Sequence, residues 1–452
     1  MARAGSLSFL ALALALVSCG SGSPSTPLDA GRPAPGHDAS VDHSAPVVDA
    51  GKPADAAREA HEAATAHDAG GCHGALAAAD RTRRIVVSHP FDTAENASGD
   101  FEVFAIDGMG VITQPNVHFA LGPTTEGVIA FTPDGAVGLV AEDDGSLGVF
   151  QLDETGAPHV VATSQKGSYY ATGVVMDPSG DRAYVIDDQT TGNGGGIYVV
   201  SIACDGSVKD EGLLTAADLP STVIPVGGGD AVILAKNVKG SPLLPDGGAD
   251  ASGDAAARDG ALPPGNDAVL VPWPSAAKVL GTADPFHDEL AIVSAATLTH
   301  DGRYVLLGDN SQFSGIPNRV GVVSVGVGTI AAAGVVDNLN DPEGIVASPF
   351  DDAILVTSAF DNAIYALSRS ESGTAPFALS GPVAYKGPAP QLPGNVVMIG
   401  RGTLNGRVLV AENQAIRALT FAAGGVITDL GPTASGDAGS TASIVGAIGV
   451  QP

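Results

Sequence analysis

The sequence predicts an all-β fold made from one repeated four-stranded unit, and three observations predict it. From Arg83 onward, short runs rich in Val, Ile and Ala are separated by Gly, Asp, Asn and Pro turns. Hardly any stretch there keeps a helical period long enough to matter. A pattern also recurs: TEGVIAFTPDGAVGLVAEDDGSLGVFQL from Thr125 matches PEGIVASPFDDAILVTSAFDNAIYALS from Pro342 almost position by position.

In chain order, residues 1–18 read as a signal peptide. One Arg stands near the start, followed by an apolar run from Leu7 to Val17. That run is too short for a membrane span, which takes about 20 residues. The tetrad Leu16-Val17-Ser18-Cys19 has the form of a lipobox, predicting cleavage before Cys19 and acylation of its thiol. The following Gly20 and Ser21 lack an inner-membrane retention Asp, which favours the outer membrane or cell surface. Residues 19–82 are rich in Ala, Pro, Asp and His, and they predict a disordered tether because they bury too little apolar surface to offset ordering. Its histidines, His37, His43, His61, His67 and His73, are irregularly spaced and read as solvated rather than metal-binding.

The repeats occupy residues 83–452. Further copies begin at Ala171, Ser294 and Asn395, each strand, tight polar turn, strand, second turn, strand and a fourth run. A fourth repeat, TVIPVGGGDAVILAKN, is split from DAVLVPWP by a low-complexity insertion at 238–266 that lacks calcium-loop spacing. The first repeat, from Arg83, has no innermost strand, and the final run ASIVGAIGV from Ala442 has no partners of its own. Placing the last strand inside the first repeat completes seven four-stranded blades and leaves no exposed sheet edge. The expectation is a seven-bladed β-propeller closed by its C-terminal strand.

The repeats resemble the bacterial Tyr-Val-Thr-Asn-type and lactonase-like seven-bladed propellers over about residues 83–450. The shared motif, Gly-Val-x-x-Ser-Pro-Asp-Gly before a strand, is structural, and the tetrad itself is reduced here to LVTS, YVID and LVAE. The resemblance implies the fold. It also implies a spread of functions, from sugar-lactone hydrolysis to plain binding.

With 50 acidic against 21 basic residues, a formal charge of −29 opposes nucleic-acid binding. Of three cysteines, lipidation of Cys19 leaves Cys72 and Cys204 as candidates for a disulfide in an exported protein. Blade geometry places inter-blade connections and second-to-third-strand turns on one face, called upper here, and those turns are long in blades 1, 3, 4 and 5. Second strands end in His89, Glu142, Asp187, Lys236, Asp309 and Glu412, with Ala359 in blade 6. Such residues either accept backbone hydrogen bonds in turns or form a ligand-binding ring. Glu126 and Glu343 precede innermost strands, nearest the axis, as solvated turn residues or as a pair able to hold a divalent cation or act as acid and base.

Two functions follow. One is a membrane-tethered, monomeric, non-catalytic module binding a protein, glycan or small ligand on its upper face. The other is a lactonase-like hydrolase with a channel-mouth carboxylate site. The sequence holds no Ser nucleophile elbow, paired-His zinc motif or phosphate loop, which favours the first.

Overall fold

The computed structural model describes residues 72–90, 100–153, 155–188, 195–217, 219–235, 267–287, 291–310, 318–370, 375–434 and 445–452. Cys19 and the signal peptide, most of the tether, the insertion, Lys236 and most of each long upper turn lie outside the described residues.

Seven four-stranded antiparallel sheets make a seven-bladed β-propeller. Blade 1 joins β1 (Arg83–His89), β2 (Asp100–Ile106) and β3 (Ile112–Ala120). Blade 2 holds β4 (Ala130–Phe131), β5 (Val137–Ala141), β6 (Leu147–Leu152) and β7 (Pro158–Gln165). Blade 3 holds β8 (Gly173–Met176), β9 (Arg182–Asp187), β10 (Gly196–Ile202) and β11 (Val208–Ala216). In blade 4 these are β12 (Pro220–Gly227), β13 (Asp230–Ala235), β14 (Ala268–Pro272) and β15 (Gly281–Ala283). Blade 5 follows with β16 (Val293–Leu298), β17 (Tyr304–Asp309), β18 (Arg319–Gly326) and β19 (Thr329–Asp337). Blade 6 has β20 (Gly344–Ala347), β21 (Ile354–Ser358), β22 (Ala363–Arg369) and β23 (Phe377–Pro382). Blade 7 has β24 (Val396–Ile399), β25 (Arg407–Glu412), β26 (Ala415–Ala422) and β27 (Val426–Ala434). The last strand, β28 (Ile448–Val450), returns to pair with β1 as the innermost strand of blade 1, in the register Ile85↔Val450 and Val87↔Ile448. Closure therefore happens as the repeat arithmetic requires.

Both faces of each blade are buried, which explains why its strands read as near-continuous apolar runs rather than clean alternations. In β17, Val305 and Leu307 pack toward blade 4, whereas Leu306 packs toward blade 6. Successive side chains point to opposite faces, so one strand feeds two interfaces. Each side chain so buried contributes about 1.5–3 kcal/mol. Between blades 1 and 2 the filling is aromatic: Phe101 stacks on Phe119 at 5.3 Å, and Phe131 meets Phe150 edge-on at 5.6 Å. Gly138 is required there, because a Cβ at that position would overlap the Phe150 ring.

Inner strands run downward, so the lower face carries the first-to-second and third-to-fourth turns. Residues 72–82, assigned to the tether by composition, lie against that face. Cys72 is disulfide-bonded to Cys204 in the blade 3 turn, with Cα atoms 5.2 Å apart. The buried His73 bonds Asp134 Oδ2 at 2.7 Å and the Ala203 carbonyl at 3.1 Å. Ala77 N–H donates to Pro133, and Asp80 accepts from Thr403 N–H in blade 7 at 3.0 Å. Polar ties and one covalent bond hold a segment that apolar burial alone would not. The propeller thus receives the chain at its lower face.

Candidate functional site

A cavity of about 380 Å³ opens at the upper end of the ring, lined by the inner strands and connections of blades 2 to 7. Glu126 and Glu343 both line it, as do Glu142, Asp143 and Asp188. No lysine, arginine or histidine is among the described residues of the lining.

Glu126 sits in the connection before β4 and is exposed. Its neighbour Gly127 has φ +117°, a conformation that favours glycine. That turn lays Val128 in parallel pairing with Ile448 of β28, with Ile129 N–H donating to Ile448 at 2.9 Å. Closure of the ring therefore fixes the approach of Glu126 to the axis.

Glu343 enters from blade 6, one residue before β20. It follows the buried Asp341, whose φ of 67° is in the left-handed region, and Pro342, whose carbonyl accepts from Ser294 Oγ at 2.9 Å. Asn310 Nδ2 donates to Glu343 Oε1 at 3.4 Å. Burial holds the Glu343 carboxyl well above the usual carboxylate range, and the negative charges of Asp341 and Glu126 push the same way. The hydrogen bond from Asn310 opposes them only in part. A side-chain hydrogen bond between Glu343 and Asp341 raises the Glu343 carboxyl further.

The second-strand residues are placed differently. Glu142 Oε1 accepts from Gly122 N–H and Ser164 Oγ, both at 2.8 Å. Asp187 accepts Tyr170 N–H at 3.0 Å, and Asp309 accepts Ile292 N–H at 2.9 Å and Arg319 Nε at 3.2 Å. Glu412 takes Arg417 Nε at 3.2 Å and a backbone bond from Gln391. In each case the donor N–H belongs to the connection entering that same blade. These carboxylates are staples that tie the end of the second strand to the incoming chain, and all are buried. Blade 6 does the same with Ser358, one residue before Ala359, whose Oγ accepts Asn340 N–H at 3.0 Å. His89 is buried against Glu102 at 2.9 Å inside blade 1. Burial also raises the Glu142 and Glu412 carboxyls.

The structure thus brings Glu126 and Glu343 together, while His89, Asp187, Asp309 and Glu412 are engaged within their blades. Asp143, Asp188, Tyr170 and Asp341 were missed by pattern reading. Their positions vary in residue type from repeat to repeat, so only the ring geometry assembles them. Tyr170 is partly exposed at the rim and donates its hydroxyl to the Asp143 carbonyl at 2.8 Å. Among the described residues, no group of three His, Cys, Asp or Glu is placed to hold a metal ion.

No protein-family model matches the chain, and no curated protein sequence does. Solved structures do. A periplasmic gluconolactonase of Pseudomonas aeruginosa superposes with a TM-score of 0.53 at 12% identity, over 82% of this chain and 99% of that one. A candidate 6-phosphogluconolactonase of Bacteroides fragilis gives 0.51 at 14%, over 83% and 99%. A protein from Lactobacillus plantarum gives 0.51 at 13%, over 82% and 100%. At such identities the likeness establishes a lactonase-like propeller fold and nothing about chemistry. Among the described residues, no helix is long and apolar enough to cross a membrane.

Proposed function

We propose that this chain is an exported, lipid-anchored propeller that binds a small neutral or cationic polar ligand in its upper axial cavity, without catalysing a reaction. The observation that carries this reading is the lining: five carboxylates and no basic side chain around one cavity. Such a site attracts cations, accepts hydroxyls and repels anions.

The anchor rests on the lipobox ending in Cys19. Replacing Cys19 with Ser should abolish fatty-acid labelling in the expressing cell. Equal label in both forms removes the anchor.

A second reading, lactone hydrolysis, is favoured by one observation. Burial and the neighbouring Asp341 and Glu126 raise the proton affinity of Glu343, which suits acid or base work on a ring ester. The fold shared with a gluconolactonase supports it. The acidic lining disfavours a phosphorylated lactone on either reading.

One experiment separates the readings. Wild type and the Glu126→Gln/Glu343→Gln double variant are titrated calorimetrically with neutral sugars, lactones and aliphatic amines, and the lactones are followed for turnover. Binding that falls about tenfold or more in the double variant without turnover supports the binding module. Turnover lost in the double variant establishes the hydrolase instead. Unchanged binding in a folded double variant moves the site off the cavity.

A further inference from the structure

The inner strand of blade 2 leads down from Glu126, and its lower end is held by residues 72–82, the strap across the lower face. β4 is two residues long, the shortest of the seven inner strands. In the turn below it, Pro133 and Asp134 take most of the strap's bonds. Ala77 N–H donates to the Pro133 carbonyl at 3.2 Å, and Asp134 N–H donates to the His73 carbonyl at 3.3 Å. His73 Nδ1 lies 2.7 Å from Asp134 Oδ2, and Arg81 Nη2 donates to the Asp134 carbonyl at 3.1 Å. Glu126 to Asp134 is one run of nine residues, so the cavity and the strap sit at the two ends of one short strand.

Little besides the disulfide keeps the strap in place. Leu76, its largest apolar side chain, is 70% exposed, and Ala75, Ala78 and Asp80 are exposed as well. Of residues 72–80 only His73 is buried. The other ties are hydrogen bonds, each worth little net because water offers the freed groups the same bonds. Fixing nine residues costs conformational entropy that so few bonds do not match. The Cys72–Cys204 bond removes much of that cost by joining positions 132 apart before the strap is ordered. Both cysteines are exposed, so a reductant reaches them from solvent.

We propose that the Cys72–Cys204 disulfide is a redox latch, whose reduction by a dithiol frees residues 72–80 and loosens the inner strand below Glu126, weakening ligand binding in the upper cavity. The reductant's thiolate attacks one sulfur, forming a mixed disulfide and releasing the other cysteine as a thiolate. Its second thiol then displaces the remaining cysteine. The reductant leaves as a disulfide, and Cys72 and Cys204 each gain one electron and one proton. Ile129 and Phe131 stay packed between blades 1 and 2, and Gln451 Nε2 still donates to the Gly135 carbonyl at 2.7 Å, so the strand loosens without unfolding. Control of binding rests on the cavity reading proposed above, whereas release of the strap does not.

The test uses the purified full chain, oxidised and after treatment with dithiothreitol. Alkylation mapped by peptide mass should label Cys72 and Cys204 only after treatment. Hydrogen exchange should then rise about a hundredfold or more over residues 73–80, the factor that loss of an ordinary disulfide supplies. It should rise about tenfold over residues 127–134 and stay unchanged over 344–347, the inner strand of blade 6. The Cys72→Ser/Cys204→Ser variant should match the reduced form and ignore dithiothreitol, and if it does not fold, reduction of the folded wild type decides alone. Cysteines left unlabelled, a strap still protected in the reduced chain, or a blade 2 strand exchanging no faster than that of blade 6 overturns the latch. The sugars, lactones and amines named above are also titrated into both forms. A probe that binds the oxidised chain about tenfold more tightly upholds control of the cavity, and one that binds both forms equally overturns it. Failure of every probe to bind either form counts against the cavity reading and leaves the latch to be decided by exchange.

Discussion

The two ends of the ring gather opposite charges and handle them by different chemistry. At the upper end, burial and then the neighbouring charges of Asp341 and Glu126 hold the Glu343 carboxyl well above its usual range. At the lower end, burial lowers the proton affinity of Arg81 and Arg83, and the charges of Asp134 and Asp80 respectively oppose it. The difference teaches that a carboxyl answers burial by holding its proton more tightly, whereas a guanidinium has to be met by a counter-charge. A third arrangement completes the comparison. Arg417 is as buried as Arg83, yet it bonds Glu412 at 3.2 Å, Asp429 at 2.7 Å and the Pro388 carbonyl at 2.9 Å. Within one molecule, a buried arginine bonded to carboxylates and one bonded to carbonyls can be set against each other.

The largest effect should come from that contrast. Replacing Arg417 with Met leaves Glu412 and Asp429 buried without their cation, and it should cost about 3–5 kcal/mol in chemical denaturation. Arg401→Gln, at a half-buried position, measured alongside, should cost only a small fraction of that. Equal losses for the two variants would erase the distinction between the clusters.

A smaller effect should appear with pH. A carboxyl whose folded-state proton affinity is raised makes the folded protein bind more protons than the unfolded chain, so stability falls as pH rises from the ordinary Glu value of about 4.3 toward the folded value. Below that window the group contributes no difference. Glu343→Gln removes this contribution, so its melting temperature should overlay wild type in acid and exceed it near neutrality. A variant whose pH profile stays parallel to wild type throughout would show that folding does not raise the Glu343 carboxyl. Glu142 and Glu412 are raised in the same direction by burial, so part of the slope should survive in the variant.

Charge also bears on partners. The acidic excess, 50 acidic against 21 basic residues, argued against a nucleic-acid surface.

Much of the fold was written in local pattern. Period-2 apolar runs, acidic glycine-bearing turns and a leftover terminal strand are properties of short segments, and they determined seven blades and the pairing of β28 with β1 before any coordinates. The nearness of Glu126 and Glu343 to the axis was legible for the same reason, since both precede an innermost strand. What the pattern could not assign was the use of each carboxylate. Glu142 and Glu126 are both glutamates beside turns of one blade and both line the cavity, yet Glu142 is buried and bonded to Gly122 and Ser164 while Glu126 is exposed. Only the tertiary structure decided this, because the N–H that claims Glu142 lies in another segment and reaches it when the blade closes. The lower face shows the same limit more sharply. Arg81 and Arg401 are 320 positions apart in sequence, and nothing local to either marks them as neighbours. The ring brings distant parts of the chain together, and that long-range closure, not any motif, carries the Arg83 side chain to the Arg401 carbonyl.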